Sequence, residues 1–258
     1  MQIKIPVSKK IKVGAVNYLN TKPLIYGFQH GLMQDDIELI LDFPSKIATM
    51  LLNDEIDVGL IPVAVIPHLT EHYIISDFCI GSDGEVASVC LFSEVELNKI
   101  ENVLLDYQSR TSAELLKILI RNFWKISPSI QETSSDYIDK IKFTTAGLII
   151  GDRALKQRGK SAYHFDLGLE WKKYTGLPMV FAAWVSNKKL DDQFIREFNE
   201  ANNIGLQQLD KVIQENPCSF FDLDQYYRRH IKYSLDERAA KGMELFLSKL
   251  PDFTLQYN

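Results

Sequence analysis

Residues 11–24, IKVGAVNYLNTKPL, join an apolar run to an amide-rich turn and then to a proline. The run Ile11–Val16 reads as a strand. It gives way to Asn17, Tyr18, Asn20 and Thr21, of which the Asn and Thr residues favour turns. Pro23 suits the first turn of a helix, where a missing N–H is no loss; that helix is expected to reach about Phe28 and to end at Gly31. A strand, a polar turn and a helix in this order belong to an open α/β sheet, and such sheets bind small ligands beyond the carboxyl ends of their strands.

The unit repeats. IELILDF (37–43) reads as a strand, and Pro44-Ser45 opens a helix whose Ile47, Met50 and Leu51 fall at helical spacing. DVGLIP (57–62) is a short buried strand, 63–69 a helical turn, and 73–78 a further strand. The order β-α-β-α-β predicts a sheet with helices on its faces. Gly81-Ser82-Asp83-Gly84 is then a turn signal, and 85–92 is expected to be one long strand crossing to a second lobe. NVLLDY (102–107) starts that lobe. Ser109-Arg110-Thr111-Ser112 leads into a helix, with Thr111 and Glu114 at the spacing of a capping box. A weak strand at 129–131, a short helix at 136–142 and the strand GLIIG (147–151) follow. Residues 165–174 read as a loop and a short helix, MVFAAWV (179–185) as the strand that returns, and the chain after Asp191 as wholly helical.

The expected architecture is therefore α/β and two-lobed. It has crossings near 83–92 and 180–187 and a helical C-terminal tail. Lobe one comprises 1–88 and 185–258, lobe two 89–184, and the ligand lies between them. A length of 258 residues agrees, since single cores stop growing near this size. The net charge of −5 argues against nucleic acid as a partner, because phosphate backbones are bound by clustered Lys and Arg. Cys79, Cys90 and Cys218 show neither metal-ligand spacing nor a disulfide framework. The basic N-terminus lacks a signal core, and no run approaches the length of a membrane span. A cytoplasmic protein that does not engage the membrane is expected. Its oligomeric state is left open.

Several residues carry candidate chemistry. Asn17 and Asn20 offer amides that bind carboxylate or hydroxyl without carrying charge, though Asn and Thr also simply build turns. Ser109, Arg110, Thr111 and Ser112 gather hydroxyls, a cation and free N–H groups at a helix N-terminus, where anions are favoured; an ordinary capped helix reads the same way. Ser88 can point a hydroxyl from an apolar strand into a cleft or bond within a sheet. Asp152 can bind a hydroxyl, act as a base, or cap the helix that follows. His68 and His72 are four apart but have no third ligand. Phosphate-binding glycine loops and a G-x-S-x-G elbow are absent from the sequence, so no cofactor and no covalent nucleophile is indicated.

VNYLNTKPL, together with DVGLIPVAVIP (57–67), GSDGEVASVCLFS (81–93), SRTSAELLKILI (109–120), LIIGDRAL (148–155) and DLGLEWKKYTGLPMVFAAW (166–184), resembles the chorismate dehydratase family of the futalosine route to menaquinone. The likeness spans nearly the whole chain and is least distinctive in the tail. It implies a fold similar to type II periplasmic binding proteins. It also implies loss of water from chorismate, a small dianion, to give 3-[(1-carboxyvinyl)oxy]benzoate. On this resemblance Asn20 and Ser88 orient the substrate and its departing hydroxyl, and Ser109, Arg110, Thr111 and Ser112 bind carboxylate. Asn17 and Asp152 are further substrate contacts. The sister family, 1,4-dihydroxy-6-naphthoate synthase, carries Ser-Pro-Cys-Pro-Asn-Asp-Thr-Phe after its first strand, where this chain has Asn17-Tyr18-Leu19-Asn20-Thr21. That lyase and a non-catalytic solute-binding protein are the rival readings.

Overall fold

The structure, a computed structural model, describes residues 10–134 and 137–251. Two mixed sheets organise the chain. The first has six strands in the order β11-β4-β10-β3-β1-β2, and the second has five in the order β7-β6-β8-β5-β9. In the first, β1 (Ile11–Val16) pairs in parallel with β2 (Ile37–Asp42) and β3 (Val58–Pro62). Helices α1 (Lys22–Gln29) and α2 (Pro44–Leu52) follow β1 and β2, each with a proline in its first turn. There the ring takes the place of an N–H that would have no helical partner. The apolar side chains of β1, α2 and β3 (Val13, Ile47, Leu51, Val58, Leu60) are wholly buried together, which fixes this layer.

β4 (Tyr73–Ser82) extends four residues beyond the expected strand and pairs antiparallel with β10 (Met179–Ser186). β10 also pairs antiparallel with β3, so the apolar run MVFAAWV lies in the first sheet along its whole length. In the second sheet β5 (Val89–Ser93) and β8 (Thr145–Ile150) are antiparallel, and β6 (Asn102–Leu105) lies parallel to both β8 and β7 (Ser129–Glu132). Helix α3 (Arg110–Ile118) follows β6, α4 (Gly151–Gln157) follows β8, and α5 (Leu167–Thr175) leads back toward β10.

Four expectations need correction. The stretch 85–92 is not one long strand. Regular pairing begins only at Val89, and the preceding residues form a turn with Ala87 in the left-handed region at φ 62°. The segment read as a loop before α5 contains a strand, β9 (Tyr163–Asp166), on the edge of the second sheet. The tail is not wholly helical. After α6 (Asp192–Gln207), α7 (Leu209–Glu215), the single turn α8 (Leu223–Gln225) and a π-helical turn (Tyr226–His230), β11 (Lys232–Ser234) adds an edge strand to β4. α9 (Glu237–Leu247) closes the described chain. The short helix expected at 136–142 is a three-residue 3-10 turn, Ile138–Lys140, and Asp136 lies outside the described residues.

The tail buttresses the first lobe. α6 lies so close to α1 that a Cβ on Gly205 would sit 2.0 Å from the Pro23 carbonyl, and one on Gly27 would sit 2.3 Å from that of Ala201. Only the lack of side chains at these two points permits the approach. Asn202 of α6, wholly buried, accepts from the Trp184 indole at 2.8 Å. The Tyr233 hydroxyl of β11 reaches the Asn20 carbonyl at 2.9 Å. Through these contacts the chain's last third sets the position of the turn that follows β1.

Candidate functional site

A cleft of about 470 Å³, partly open to solvent, lies between the two sheets. From the first lobe it is walled by Val16 at the carboxyl end of β1, Leu60 and Pro62 of β3, Ile80 of β4, and Phe181 and Ala182 of β10. From the second come Ser88 and Val89, Ile150 and Gly151 at the end of β8, and Ser109 and Ser112 at the start of α3. Tyr18, Asn20, Thr21 and Pro44 complete the lining. The walls are mostly apolar, with hydroxyls and one side-chain amide set among them.

The turn after β1 is pinned to the opposite lobe at two points. Tyr18 donates its hydroxyl to Gln108 Oε1. The Leu19 amide donates to Asp152 Oδ1 at 3.1 Å. Gln108 is itself fixed, accepting from Arg153 at 2.8 Å and donating its backbone N–H to Asp106 at 2.8 Å. Asp106 is a buried carboxylate made tolerable by Arg153 at 2.7 Å and the Tyr137 hydroxyl at 2.9 Å. Gly151 lets the turn come this close. Its φ is +62°, and an added Cβ would meet the Tyr18 ring at 2.9 Å.

Ser88 is presented by a second device. Asp166, the N-cap of α5, is 4% exposed and accepts from Val86 N at 3.0 Å, Ala87 N at 2.7 Å and Leu169 N at 3.0 Å. Gly151 N donates to the Ser88 carbonyl at 2.8 Å. Together these bonds hold Ala87 in the left-handed region, which costs a non-glycine residue on the order of 1 kcal/mol or more. The result aims Ser88 into the cleft. Burial pushes the Asp166 carboxyl up, against the pull of its three amide donors.

At the third side of the cleft Ser109 is the N-cap of α3. Its Oγ accepts from Ser112 N at 3.2 Å and its hydroxyl donates to Ser112 Oγ at 2.9 Å. The nine-residue helix aims its positive end at this wall. The expected capping box does not form. Thr111 sits inside the helix and accepts from Ala64 N at 3.1 Å, while Glu114 pairs with Lys117.

Of the residues singled out from sequence, Asn20, Ser88, Ser109 and Ser112 are brought together on the cleft wall. The other four are not part of it. Asn17 is exposed and accepts from Lys22 at 2.9 Å. Arg110 is exposed, near enough to His68 to help, after burial, to hold that imidazole's pKa below its ordinary value. Thr111 ties α3 to the turn after β3. Asp152 holds the Leu19 amide, and burial raises its pKa. Sequence reasoning did not single out Gly151 or Phe181 as cleft residues. The glycine closing GLIIG was a visible signal for a close approach. Nothing local marks Phe181, which faces the cleft only because β10 lies between β3 and β4.

No lysine, arginine, histidine, aspartate or glutamate is among the residues lining the cleft. Such a slot can bind an anion through hydroxyls, an amide and a helix N-terminus, and can orient polar groups between apolar walls. It offers no charged side chain as a base.

Two α/β sheets with a mostly apolar cleft between them, β10 antiparallel to β3 and β4, and a tail folded onto the first lobe define a two-lobed fold of the type II periplasmic-binding-protein class. Solved structures agree at the level of fold. A protein from Archaeoglobus fulgidus superposes with a TM-score of 0.70 at 16% identity, covering 93% of this chain and 97% of that one. The periplasmic aliphatic sulphonate binding protein of Escherichia coli gives 0.57 at 13% identity, covering 93% and 85%. Within that class the chain belongs to the menaquinone biosynthesis family, whose model matches residues 11–252. A relative named chorismate dehydratase, from Thermus thermophilus, is 25% identical over 261 residues, which cover 92% of this chain and 94% of that protein. Among the described residues no helix is long and apolar enough to cross a membrane.

Proposed function

We propose that the protein is a chorismate dehydratase, a carbon–oxygen lyase that converts chorismate to 3-[(1-carboxyvinyl)oxy]benzoate in menaquinone biosynthesis, in the cytoplasm. The observation that carries this reading is the convergence of Asn20, Ser88, Ser109 and Ser112 on one uncharged cleft, in a chain of this family. The division into two lobes belongs to the same reading, with the expected boundaries at 88/89 and 184/185 moved so that Ser88 goes with the second lobe and Met179–Trp184 with the first, because β10 pairs only with β3 and β4.

Chorismate carries two carboxylates, an allylic hydroxyl and, on the adjacent carbon, an enol ether. The hydrogen on the ether-bearing carbon is vinylogous to the ring carboxylate and is therefore acidic. Its removal and the loss of the neighbouring hydroxyl leave an aromatic ring. One proton and one hydroxide depart, as water, and no electrons are exchanged with the protein. Ser109, Ser112 and the positive end of α3 bind a carboxylate. Asn20 and Ser88 orient the hydroxyl and donate to its oxygen as the C–O bond breaks. Because the cleft wall holds no carboxylate or imidazole, the substrate's own enolpyruvyl carboxylate serves as the base. The protein contributes by fixing its rotamer. Near-attack positioning of this kind supplies on the order of 7–11 kcal/mol at best.

Purified protein incubated with chorismate should consume the diene absorbance and yield a product lighter by one water in mass spectrometry. Asn20→Ala and Ser88→Ala should each lower kcat by about 10²-fold, the order found for removing one donor from a developing oxyanion. Binding of chorismate without turnover would replace this reading with that of a solute-binding protein.

A further inference from the structure

Behind the cleft wall formed by Asn20 and Ser88 the tail contributes three buried tyrosines. Tyr226 and Tyr227 come from the π-helical turn and Tyr233 from β11. Tyr233 has a partner, the Asn20 carbonyl. Tyr226 is 0% exposed and its hydroxyl has no hydrogen-bond partner. Native folds pair nearly all such groups, so an exception has a cause to be found.

Its surroundings supply one. Burial pushes its pKa up, and the side chains of Ser88 and Asn20 oppose this from hydrogen-bonding reach, though neither is aligned for a formed bond; both line the cleft. Neither is firmly engaged. The Ser88 hydroxyl has only a long contact to the Val86 carbonyl, 3.5 Å, and Asn20 Oδ1 accepts only from Thr21 at 3.3 Å. Three polar groups with unspent hydrogen-bonding capacity therefore meet at one place on a mainly apolar wall. Ser88 is also held rigidly in its backbone by Asp166 and Gly151, so its remaining freedom is rotation of the hydroxyl.

We propose that Tyr226 is a positioning residue: with substrate in the cleft its hydroxyl donates to Ser88 Oγ, so that the serine's own proton is aimed at the departing oxygen. This rests on the dehydratase reading above. Tyr226 keeps its proton throughout. The C–O bond breaks with its electron pair going to oxygen, and the proton that completes the water is the one taken from the ring carbon. Tyrosine and serine end the cycle unchanged. Without substrate the Tyr226 hydroxyl stands without a bond, as observed.

The test compares Tyr226→Phe, Tyr227→Phe and the double variant Tyr226→Phe/Ser88→Ala in the full-length protein, with chorismate as the probe. Tyr227 is a matched control, since its hydroxyl is likewise unpartnered but the side chains that bear on it, after burial, are Asp152 and Cys218 rather than Ser88 and Asn20. Tyr226→Phe should lower kcat at least about tenfold with KM within about twofold, the pattern of an interaction made only in the transition state. Its urea midpoint should stay level or rise, because the lost hydroxyl had no bond to lose. The double variant should be no slower than Ser88→Ala alone. Tyr227→Phe should turn over at the wild-type rate. Wild-type kinetics in Tyr226→Phe, losses that add in the double variant, or a kcat loss matched by a fall in urea midpoint would each overturn the proposal while leaving the dehydratase reading intact. If the wild-type protein leaves chorismate unchanged, that reading fails and the role of Tyr226 falls with it.

Discussion

Asp166 is the residue whose removal should be felt both in folding and in turnover. In the native structure its carboxylate accepts three backbone N–H groups, at 3.0, 2.7 and 3.0 Å. In Asp166→Ala, Val86 N and Ala87 N would be left inside the protein without acceptors, at about 1–3 kcal/mol each. The N-cap of α5 would go as well, at about 1 kcal/mol. Against this, the wild-type carboxylate is itself disfavoured by burial, as its raised pKa reports. The net destabilisation should therefore lie near the lower end of the sum, about 3 kcal/mol. That is a large share of the ~5–15 kcal/mol available to a folded domain. Asp166→Asn keeps one acceptor oxygen and should lose about half as much. Urea unfolding measures this term. Turnover of chorismate measures the other, because the same bonds hold the turn that aims Ser88. With Ala87 free to leave its left-handed conformation, kcat should fall by about 10²-fold, the order expected of a misplacement near 1 Å. If Asp166→Ala unfolded within about 1 kcal/mol of the wild type, the turn would be held by something else. If Asp166→Asn folded but kept full turnover, the link from Asp166 to Ser88 would be refuted.

Gly151→Ala adds a Cβ at positive φ against the Tyr18 ring; it should lower the urea stability by about 1–3 kcal/mol and weaken substrate binding, and a rise in stability would contradict the assigned contact. Ser109→Ala removes the N-cap of α3 and should cost about 1 kcal/mol while raising KM more than it lowers kcat; an unchanged KM would remove Ser109 from the anion wall. Asp152→Asn keeps an acceptor for the Leu19 amide but cannot ionise. Because burial raises the wild-type pKa above its ordinary value of 3.8, the folded state holds this proton more tightly than the unfolded one. Wild-type stability from this group is full below pH 3.8 and is lost as pH rises through the folded pKa. The variant should therefore gain stability relative to wild type across that window, and a flat or falling difference in paired urea titrations would overturn the assignment.

Much of the fold was legible in the chain because its signals are local. The apolar run Ile11–Val16, the prolines opening α1 and α2 and the helical spacing of Ile47, Met50 and Leu51 require no partner to be read. The errors fell where a distant residue decides. Nothing in EVASVC (85–90) announces a turn; it exists because Asp166, about eighty positions later, grips two of its amides. The capping-box spacing at Thr111 was real but lost to Ser109, and the threonine instead serves Ala64 on another element. β11 is three residues long, KYS, and is a strand only because β4 offers an edge. In the cleft, residue types marked Asn20, Ser88, Ser109 and Ser112, but not which neighbours would face away. Arg110 begins the same helix whose cap lines the cleft, yet successive helical side chains point about 100° apart. Tyr226 and Tyr227 carry no motif, and only burial exposes their unmatched hydroxyls.

The bond from the Leu19 amide to Asp152 crosses from one lobe to the other. Its proton is thus shielded from solvent only while the lobes are together, so its exchange with deuterium counts opening events. Ligand in the cleft should slow exchange at Leu19 without slowing it at surface amides. The same bond offers a clock for product release: if opening limits turnover, the exchange rate at this one amide and kcat should rise and fall together across variants of the turn.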